Sequence, residues 1–248
     1  MKAIFLIPLL LLSSVAAAAE TRPAVVELFT SQGCSSCPPA DALLGELAKR
    51  PDVVALGFHI TYWDGAQWRD PLSLREATDR QTAYDQRLTG GQIYTPQMVI
   101  DGTADAVGSD RGAVLAALAN ARPATLAAVA FAADRRSVTI APGTAAATAP
   151  GTAAATAPGT TAGTTPGGAS VLLARYDLAR ATQVKGGENA GRSATDFNGV
   201  TALTTLGAWE GKTVSFPIAP PAQGEGLAVL VQAPDGRFYG AAALSPLS

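Results

Sequence analysis

Two cysteines, Cys34 and Cys37, stand three positions apart and are the only cysteines in the chain of 248 residues. Two serines separate them, and Pro38 and Pro39 follow directly. Thiols at this spacing can exchange a disulfide with another molecule, bind a metal together, or close a small structural loop. Which of these three roles the cysteines have depends on the sequence around them.

A metal site built on the two cysteines is short of ligands. A structural zinc site takes about four ligands, usually Cys or His, and the chain adds a single histidine, His59. Haem attachment needs a histidine directly after the second cysteine, where this sequence has Pro38. Thiolates also suit Cu(I), which stays a weaker alternative because Met98 is the only methionine besides Met1. We therefore predict neither a metal nor an organic cofactor.

The local sequence favours redox chemistry over a structural bridge. Stabilisation by a disulfide grows with the loop that it closes, and this loop contains only Ser35 and Ser36. The pair follows a predicted strand and a glycine turn and precedes a predicted helix. Unpaired N–H groups and partial positive charge at a helix start favour a thiolate. We predict that Cys34 is the attacking thiol and that Cys37 resolves the mixed disulfide.

The N-terminus has the pattern of a secretory signal peptide. Met1 and Lys2 precede a short apolar run at residues 3–12, and small residues end at Ala19. This pattern predicts cleavage near Ala19 and a periplasmic or secreted protein without a stable membrane span. An oxidising compartment allows a disulfide to persist.

Composition indicates a globular protein without a nucleic-acid partner. Hydrophobic residues make up 48% of the chain, and its formal net charge is −2. We find no basic patch of the kind that binds nucleic acid. The expected partner is a protein or peptide thiol or disulfide, and the oligomeric state stays open.

The first half alternates strands and helices. Periodicity predicts strands at residues 24–29, 52–60 and 96–102, with a hairpin continuing through 104–108. It predicts helices at residues 38–50, 71–88 and 109–121, the last capped by Ser109. This order is typical of a compact α/β domain with a mixed sheet, which we assign to residues 20–122.

The second half, residues 123–248, is rich in β-branched and alternating runs, which predict a small antiparallel β domain. Within it, the sequence APGTAAAT occurs at 141–148 and again at 149–156. These repeats offer no large apolar side chain to bury, so we expect residues 141–168 to form a flexible surface insertion.

The segment VELFTSQGCSSCPPADALLGELA resembles the active site of thioredoxin-like proteins. In YTPQMVIDG, Thr95 and Pro96 match the position where such folds place a cis-proline facing the cysteines. The resemblance implies that Pro96 is cis and that it orients an extended substrate together with Thr95. It also implies that Glu27 is a buried carboxyl that exchanges protons with Cys37. A glutamate facing solvent or paired with an arginine stays open.

A second resemblance covers most of the chain after the signal peptide, except the insertion. YWDGAQWRDPLSLREATDRQTAYDQRL and GENAGR, residues 187–192, are similar to the exported family catalogued as domain of unknown function 1223 (DUF1223). That family joins a thioredoxin-like domain to a β-rich part. Thr61 and Gln67 depart from its pattern, where we expect aspartate and glycine.

Several further residues have two interpretations each. His59 could titrate near the cysteines, but a packed, hydrogen-bonded histidine is the commoner case at a strand end. The aromatic side chains between 62 and 68 could line the cysteines or anchor their own loop. Residues 187–192 could bind a ligand, although a turn held by bonds to its own backbone is the simpler interpretation. We expect Arg80 to pair with a loop aspartate.

Together these features predict an α/β thioredoxin-like domain followed by a small antiparallel β-rich domain. The predicted function is that of an exported thiol–disulfide oxidoreductase that uses Cys34, Cys37, Thr95, Pro96 and Glu27. The alternative is a secreted binding or scaffold protein whose thioredoxin-like domain is non-catalytic and whose disulfide is structural. The direction of electron transfer and the physiological substrate stay open.

Overall fold

The computed structural model describes residues 21–121, 125–143 and 168–244. The predicted signal peptide and most of the predicted insertion lie outside these residues. The insertion was predicted to begin at Ala141, but Ala141 and Pro142 belong to a strand. Across the described ranges, the structure contains no helix long and apolar enough to cross a membrane.

The chain forms strands and helices in the following order: β1 (Ala24–Thr30), α1 (Pro38–Leu47), β2 (Val53–His59), α2 (Arg75–Leu88), β3 (Gln97–Ile100), β4 (Ala104–Val107), α3 (Arg111–Asn120), β5 (Ala127–Phe131), β6 (Ser137–Pro142), β7 (Ala169–Gln183), β8 (Ser193–Trp209), β9 (Val214–Pro217), β10 (Glu225–Gln232) and β11 (Phe238–Leu244). The predicted alternation of the first half is confirmed. β1 is parallel to β2 and antiparallel to β3, and β3 and β4 form the predicted hairpin.

Two predicted helix starts are wrong. Helix α2 begins at Arg75 rather than Pro71 because the residues before it pair with β2: Ser73 bridges to His59, and the N–H of Leu74 donates to the His59 carbonyl at 2.9 Å. Helix α3 is capped by Asp110 rather than Ser109. The Asp110 carboxylate accepts a hydrogen bond from the Ala113 N–H at 2.9 Å, which satisfies one of the unpaired donors of the first turn.

The strands of the second half do not all form a sheet of their own. Four of them, β7, β8, β10 and β11, extend the sheet of the first half into eight strands in the order β11-β10-β7-β8-β2-β1-β3-β4. The junction is a parallel contact between β2 and β8 at Gly57 and Gly199. Among the described strands, β5, β6 and β9 form a separate antiparallel sheet. The large sheet therefore crosses the predicted boundary at residues 122 and 123.

Strand β1 alternates between two cores and so fixes which helix lies on which face. Val26 and Leu28 belong to the core under α1 and α3. Val25 and Phe29 belong to the opposite core, which contains Tyr84 of α2 and residues of the strands from the second half. All seven residues of β1 are buried, as expected for a central strand covered on both faces. The carboxyl end of β1 then leads into the cysteine loop, residues 31–37.

The turns of the two halves also meet directly. A Cβ atom on Gly102, in the turn between β3 and β4, would stand 1.9 Å from the carbonyl oxygen of Gly236, in the turn between β10 and β11. Gly102 also has a φ of +70°, in the left-handed region. Only glycine satisfies both requirements at this position.

We predict that Gly102→Ala lowers the free energy of unfolding by at least about 1 kcal/mol more than Gly90→Ala. Gly90 has a φ of +71° but open space around it, so its variant carries only the cost of the left-handed backbone, about 1–2 kcal/mol. The additional loss in Gly102→Ala comes from forced overlap with the second half of the chain. Urea unfolding of the two variants measures the difference. Equal losses would show that the turns do not pack as described.

Candidate functional site around the cysteine pair

Cys34 and Cys37 are joined by a disulfide at the start of α1. Cys37 is the N-cap residue, and its carbonyl accepts hydrogen bonds from Ala40 at 2.8 Å and Asp41 at 3.1 Å. The two prolines after it occupy first-turn positions, where a missing N–H costs no intrahelical bond. Both cysteines are buried, with 1% of Cys34 and none of Cys37 exposed.

Thr95, the residue directly before the predicted cis-proline, contacts Cys34. The Thr95–Pro96 peptide bond is cis, as the thioredoxin-like resemblance implied. The Thr95 hydroxyl donates to the Sγ of Cys34 at 3.5 Å, and the indole N–H of Trp63 donates to that hydroxyl at 2.8 Å. The Ser36 hydroxyl lies 3.3 Å from the same sulfur. The site therefore brings together Cys34, Thr95 and one aromatic residue of the loop after β2.

Trp63 both anchors its own loop and reaches the cysteine site, the two roles considered for the aromatic side chains between 62 and 68. Its ring packs against the core between the sheet and α2, while its N–H reaches the cysteine site through Thr95. Tyr62 is 44% exposed and donates from its hydroxyl to Gln81 at 3.2 Å. The loop is thus anchored by one aromatic side chain and presents another to solvent.

Glu27 is fully buried but has partners other than the cysteines. Arg80 donates to its carboxylate at 2.6 and 3.1 Å, and the hydroxyl of Tyr84 donates to it as well. Arg80 therefore pairs with Glu27 and not with a loop aspartate. Glu27 shares its face of β1 with Val25 and Phe29, opposite the α1 core. Proton exchange between Glu27 and Cys37 stays a prediction.

A network of buried charged groups lies under the cysteine loop. His59 is 2% exposed, and its Nδ1 lies 2.8 Å from Asp70, while its Nε2 lies 3.8 Å from Asp196. Both carboxylates also bind Gln32: Asp70 accepts from its backbone N–H at 2.8 Å, and Asp196 accepts from its side-chain amide at 2.6 Å. His59 is packed and hydrogen-bonded, and through these two aspartates it holds the loop that carries Cys34.

The environment of His59 favours its charged form. Burial by itself lowers the pKa of a histidine, but the hydrogen bond and charge of Asp70, with the charge of Asp196, raise the pKa of His59 to about 9. Burial raises the pKa of Asp196, whereas hydrogen bonds and the charge of His59 outweigh burial at Asp70 and lower its pKa. Burial also raises the pKa of Asp41, in the first turn of α1, to about 7. At neutral pH the network therefore contains an imidazolium.

The segment at residues 187–192, which we call the clamp, belongs to the second half of the chain and forms hydrogen bonds with the cysteine loop. The side-chain amide of Asn189 donates to the carbonyls of Cys34 at 2.7 Å and of Gln32 at 3.0 Å. Its neighbour Glu188 accepts from the Ser35 N–H at 3.0 Å. The clamp side chains thus bind the backbone of the cysteine loop, in addition to the bonds within their own turn that the sequence suggested.

A cavity of about 260 Å³ lies between the clamp and the start of α1. Its lining includes Gln32, Pro38, Asp41, Asn189 and Phe197. Among the described residues there is no group of three or more His, Cys, Asp or Glu side chains that could hold a metal ion.

Sequence reasoning missed the carboxylates under the loop. Asp70 lies inside residues 62–88, the segment that resembles the DUF1223 family, and this position could have drawn attention to it. Its pairing with His59, however, depends on the fold. Asp196 carries no signal in the sequence. It reaches the site because β8 is the neighbour of β2 in the sheet, a pairing that strand patterns cannot predict.

We predict that stability falls by about 2 kcal/mol between pH 7 and pH 9 because of His59. The folded pKa of about 9 lies above the unfolded value of 6.5, so the unfolded chain loses this proton first. The stabilisation is complete below pH 6.5 and disappears as pH rises through 9, at 1.36 kcal/mol per pKa unit. Urea unfolding across this range measures it.

His59→Gln is the control for this prediction, since it keeps a hydrogen-bonding side chain without a titrating ring. Its stability at pH 7 should be lower than that of the unsubstituted protein and should change little up to pH 9. Parallel pH profiles for the two proteins would contradict the assignment of a buried imidazolium.

Comparisons with known proteins agree with this architecture. A crystal structure of protein AGR_C_4864 from Agrobacterium tumefaciens is similar, with a TM-score of 0.69 and 28% identity over 93% of this chain and 99% of that one. HBP35 of Porphyromonas gingivalis shares the fold at a TM-score of 0.57 and 13% identity, over 92% of this chain and 76% of that one. No curated protein matches significantly. The model of the family "Protein of unknown function (DUF1223)" matches residues 25–232, and the chain therefore belongs to the DUF1223 family.

Proposed function

We propose that the chain is an exported thiol–disulfide oxidoreductase with a thioredoxin-like first half. Cys34 and Cys37 are the reacting pair, and Thr95 and Pro96 orient an extended protein or peptide substrate. The catalytic unit is residues 20–122, and within the β-rich part, residues 123–248, the clamp and β8 support the cysteine loop. Export rests on the signal-peptide pattern of residues 1–19, and an oxidising compartment would preserve the Cys34–Cys37 disulfide.

The observation that carries the proposal is the pairing of Cys34 with Thr95 directly before a cis-proline. A hydroxyl that donates to sulfur at 3.5 Å would also donate to a thiolate, and hydrogen bonds to a charged group are the stronger kind. The first turn of α1 adds partial positive charge on the other side of the pair. Cys34 therefore has two sources of thiolate stabilisation.

The reaction moves two electrons and two protons between the pair and its substrate. In the reducing direction, the Cys34 thiolate attacks a substrate disulfide, a mixed disulfide forms, and the first substrate sulfur leaves as a thiolate that takes up a proton. Cys37 then loses its proton and attacks the sulfur of Cys34. The mixed disulfide breaks, the Cys34–Cys37 bond forms, and the second substrate thiol is released. The oxidising direction is the reverse sequence.

A second candidate function has direct support from burial. Neither sulfur is open to a large partner, since Cys34 is 1% exposed and Cys37 is 0% exposed. The clamp further covers the loop from the second half of the chain. A secreted binding or scaffold protein with a structural disulfide would have these features. Catalysis requires the loop to open enough for a substrate sulfur to reach Cys34.

We predict that reduced Cys37→Ser traps a mixed disulfide with a peptide disulfide substrate, because it retains the attacking thiol and lacks the resolving one. Cys34→Ser is the matched control and should trap little. Mass spectrometry of the non-reduced products measures both.

Trapping by neither variant, under conditions in which the unsubstituted protein is fully reduced and folded, would exclude the oxidoreductase and favour the structural disulfide. Trapping only by Cys34→Ser would reverse the assigned roles of the two cysteines.

A further inference from the structure

The clamp places a negative charge next to the candidate nucleophile. The carboxylate of Glu188 accepts a hydrogen bond from the Ser35 N–H at 3.0 Å, and Ser35 is the residue that directly follows Cys34. Hydrogen bonding with the Ser35 side chain, and then with the Ser35 N–H, lowers the pKa of Glu188, so the side chain is a carboxylate at neutral pH. No hydrogen bond or ion pair joins Glu188 to a basic side chain anywhere in the part of the chain that the structure describes.

Contacts with the cysteine loop hold the backbone on both sides of Glu188. The Glu188 N–H donates to the Gly33 carbonyl at 3.3 Å, and Asn189 donates to the Cys34 carbonyl at 2.7 Å. Gly187 has a φ of +73°, and a Cβ there would stand 3.3 Å from the Cα of Gly33. The clamp therefore contacts the cysteine loop through Gly187, Glu188 and Asn189, and the backbone that carries the Glu188 carboxylate is held against that loop.

The charge of Glu188 acts against the groups that stabilise the Cys34 thiolate. Thr95 and the start of α1 favour negative charge on Cys34. Glu188 instead accepts the hydrogen bond of the Ser35 N–H in the same loop and adds a second negative charge there. A nearby negative charge disfavours ionisation of the Cys34 thiol. Because Glu188 is exposed, solvent and salt weaken this repulsion without abolishing it.

We propose that Glu188 is a positioning residue that holds down the reduction potential of the cysteine pair. Its carboxylate destabilises the Cys34 thiolate of the reduced, dithiol form and has no such effect on the uncharged disulfide. The inference rests on the proposed function only in assuming that the pair can be reduced and reoxidised. It gives the second half of the chain an electrostatic role in addition to its structural one.

The test compares Glu188→Gln with Glu210→Gln in the otherwise unchanged chain. Glutamine at 188 keeps an acceptor for the Ser35 N–H and removes the charge, while Glu210 is an exposed carboxylate at the far end of β8. The pH dependence of iodoacetamide labelling gives the Cys34 pKa, and equilibration with dithiothreitol at pH 8.5 gives the potential. Both can be measured without a protein substrate.

Glu188→Gln should lower the Cys34 pKa and shift the equilibrium toward the dithiol by about twofold to fivefold, the range of exposed charge interactions. Glu210→Gln should change neither quantity, and 1 M NaCl should abolish most of the Glu188→Gln shift. An unchanged equilibrium, an equal shift in both variants, or a shift that persists in 1 M NaCl would overturn the inference. Failure of the oxidoreductase proposal would appear separately, as the absence of a trapped mixed disulfide.

Discussion

The cysteine loop depends on the buried imidazolium of His59 between two aspartates. Asp70 comes from the loop after β2 and Asp196 from β8, and each also binds Gln32, two residues before Cys34. A buried charge is tolerated only when it is paired and hydrogen-bonded. Removing one member would leave the others uncompensated, which is strongly destabilising. The network thus ties the cysteine loop to two distant parts of the chain.

The second half of the chain is part of the site and not an appendage to it. Strand β8 joins the sheet beside β2 and delivers Asp196, and the clamp just before β8 delivers Glu188 and Asn189. Hydrogen bonds between clamp side chains and the loop backbone cover the cysteine loop, while Thr95, before the cis-proline, contacts Cys34 from a different part of the chain. In the proposed oxidoreductase, the first half supplies the reacting groups and the second half sets their environment.

Local patterns predicted most of the helices and strands, the cysteine pair and the cis-proline, but not the sheet that unites the two halves. The cysteine spacing and the Thr95–Pro96 pair are short-range signals. The thioredoxin-like resemblance made them interpretable without any tertiary contact. The pairing of β8 with β2 had no such signal, because strand patterns indicate burial and not partners. His59, Asp70 and Asp196 were therefore visible as single residues and not as a network. The partner of Glu27 was hidden for the same reason, since Arg80 lies on a helix that folds back onto β1.

The reduction potential of the purified, unsubstituted protein tests the central claim most directly. A pair that exchanges disulfides has a potential above about −300 mV, whereas structural disulfides in secreted proteins fall below that value. Equilibration with redox buffers of known potential, read by mass spectrometry after alkylation, gives the number. We expect a potential above about −300 mV for the Cys34–Cys37 pair. A lower value would show that the disulfide is an inert bridge and that the chain is a binding or scaffold protein.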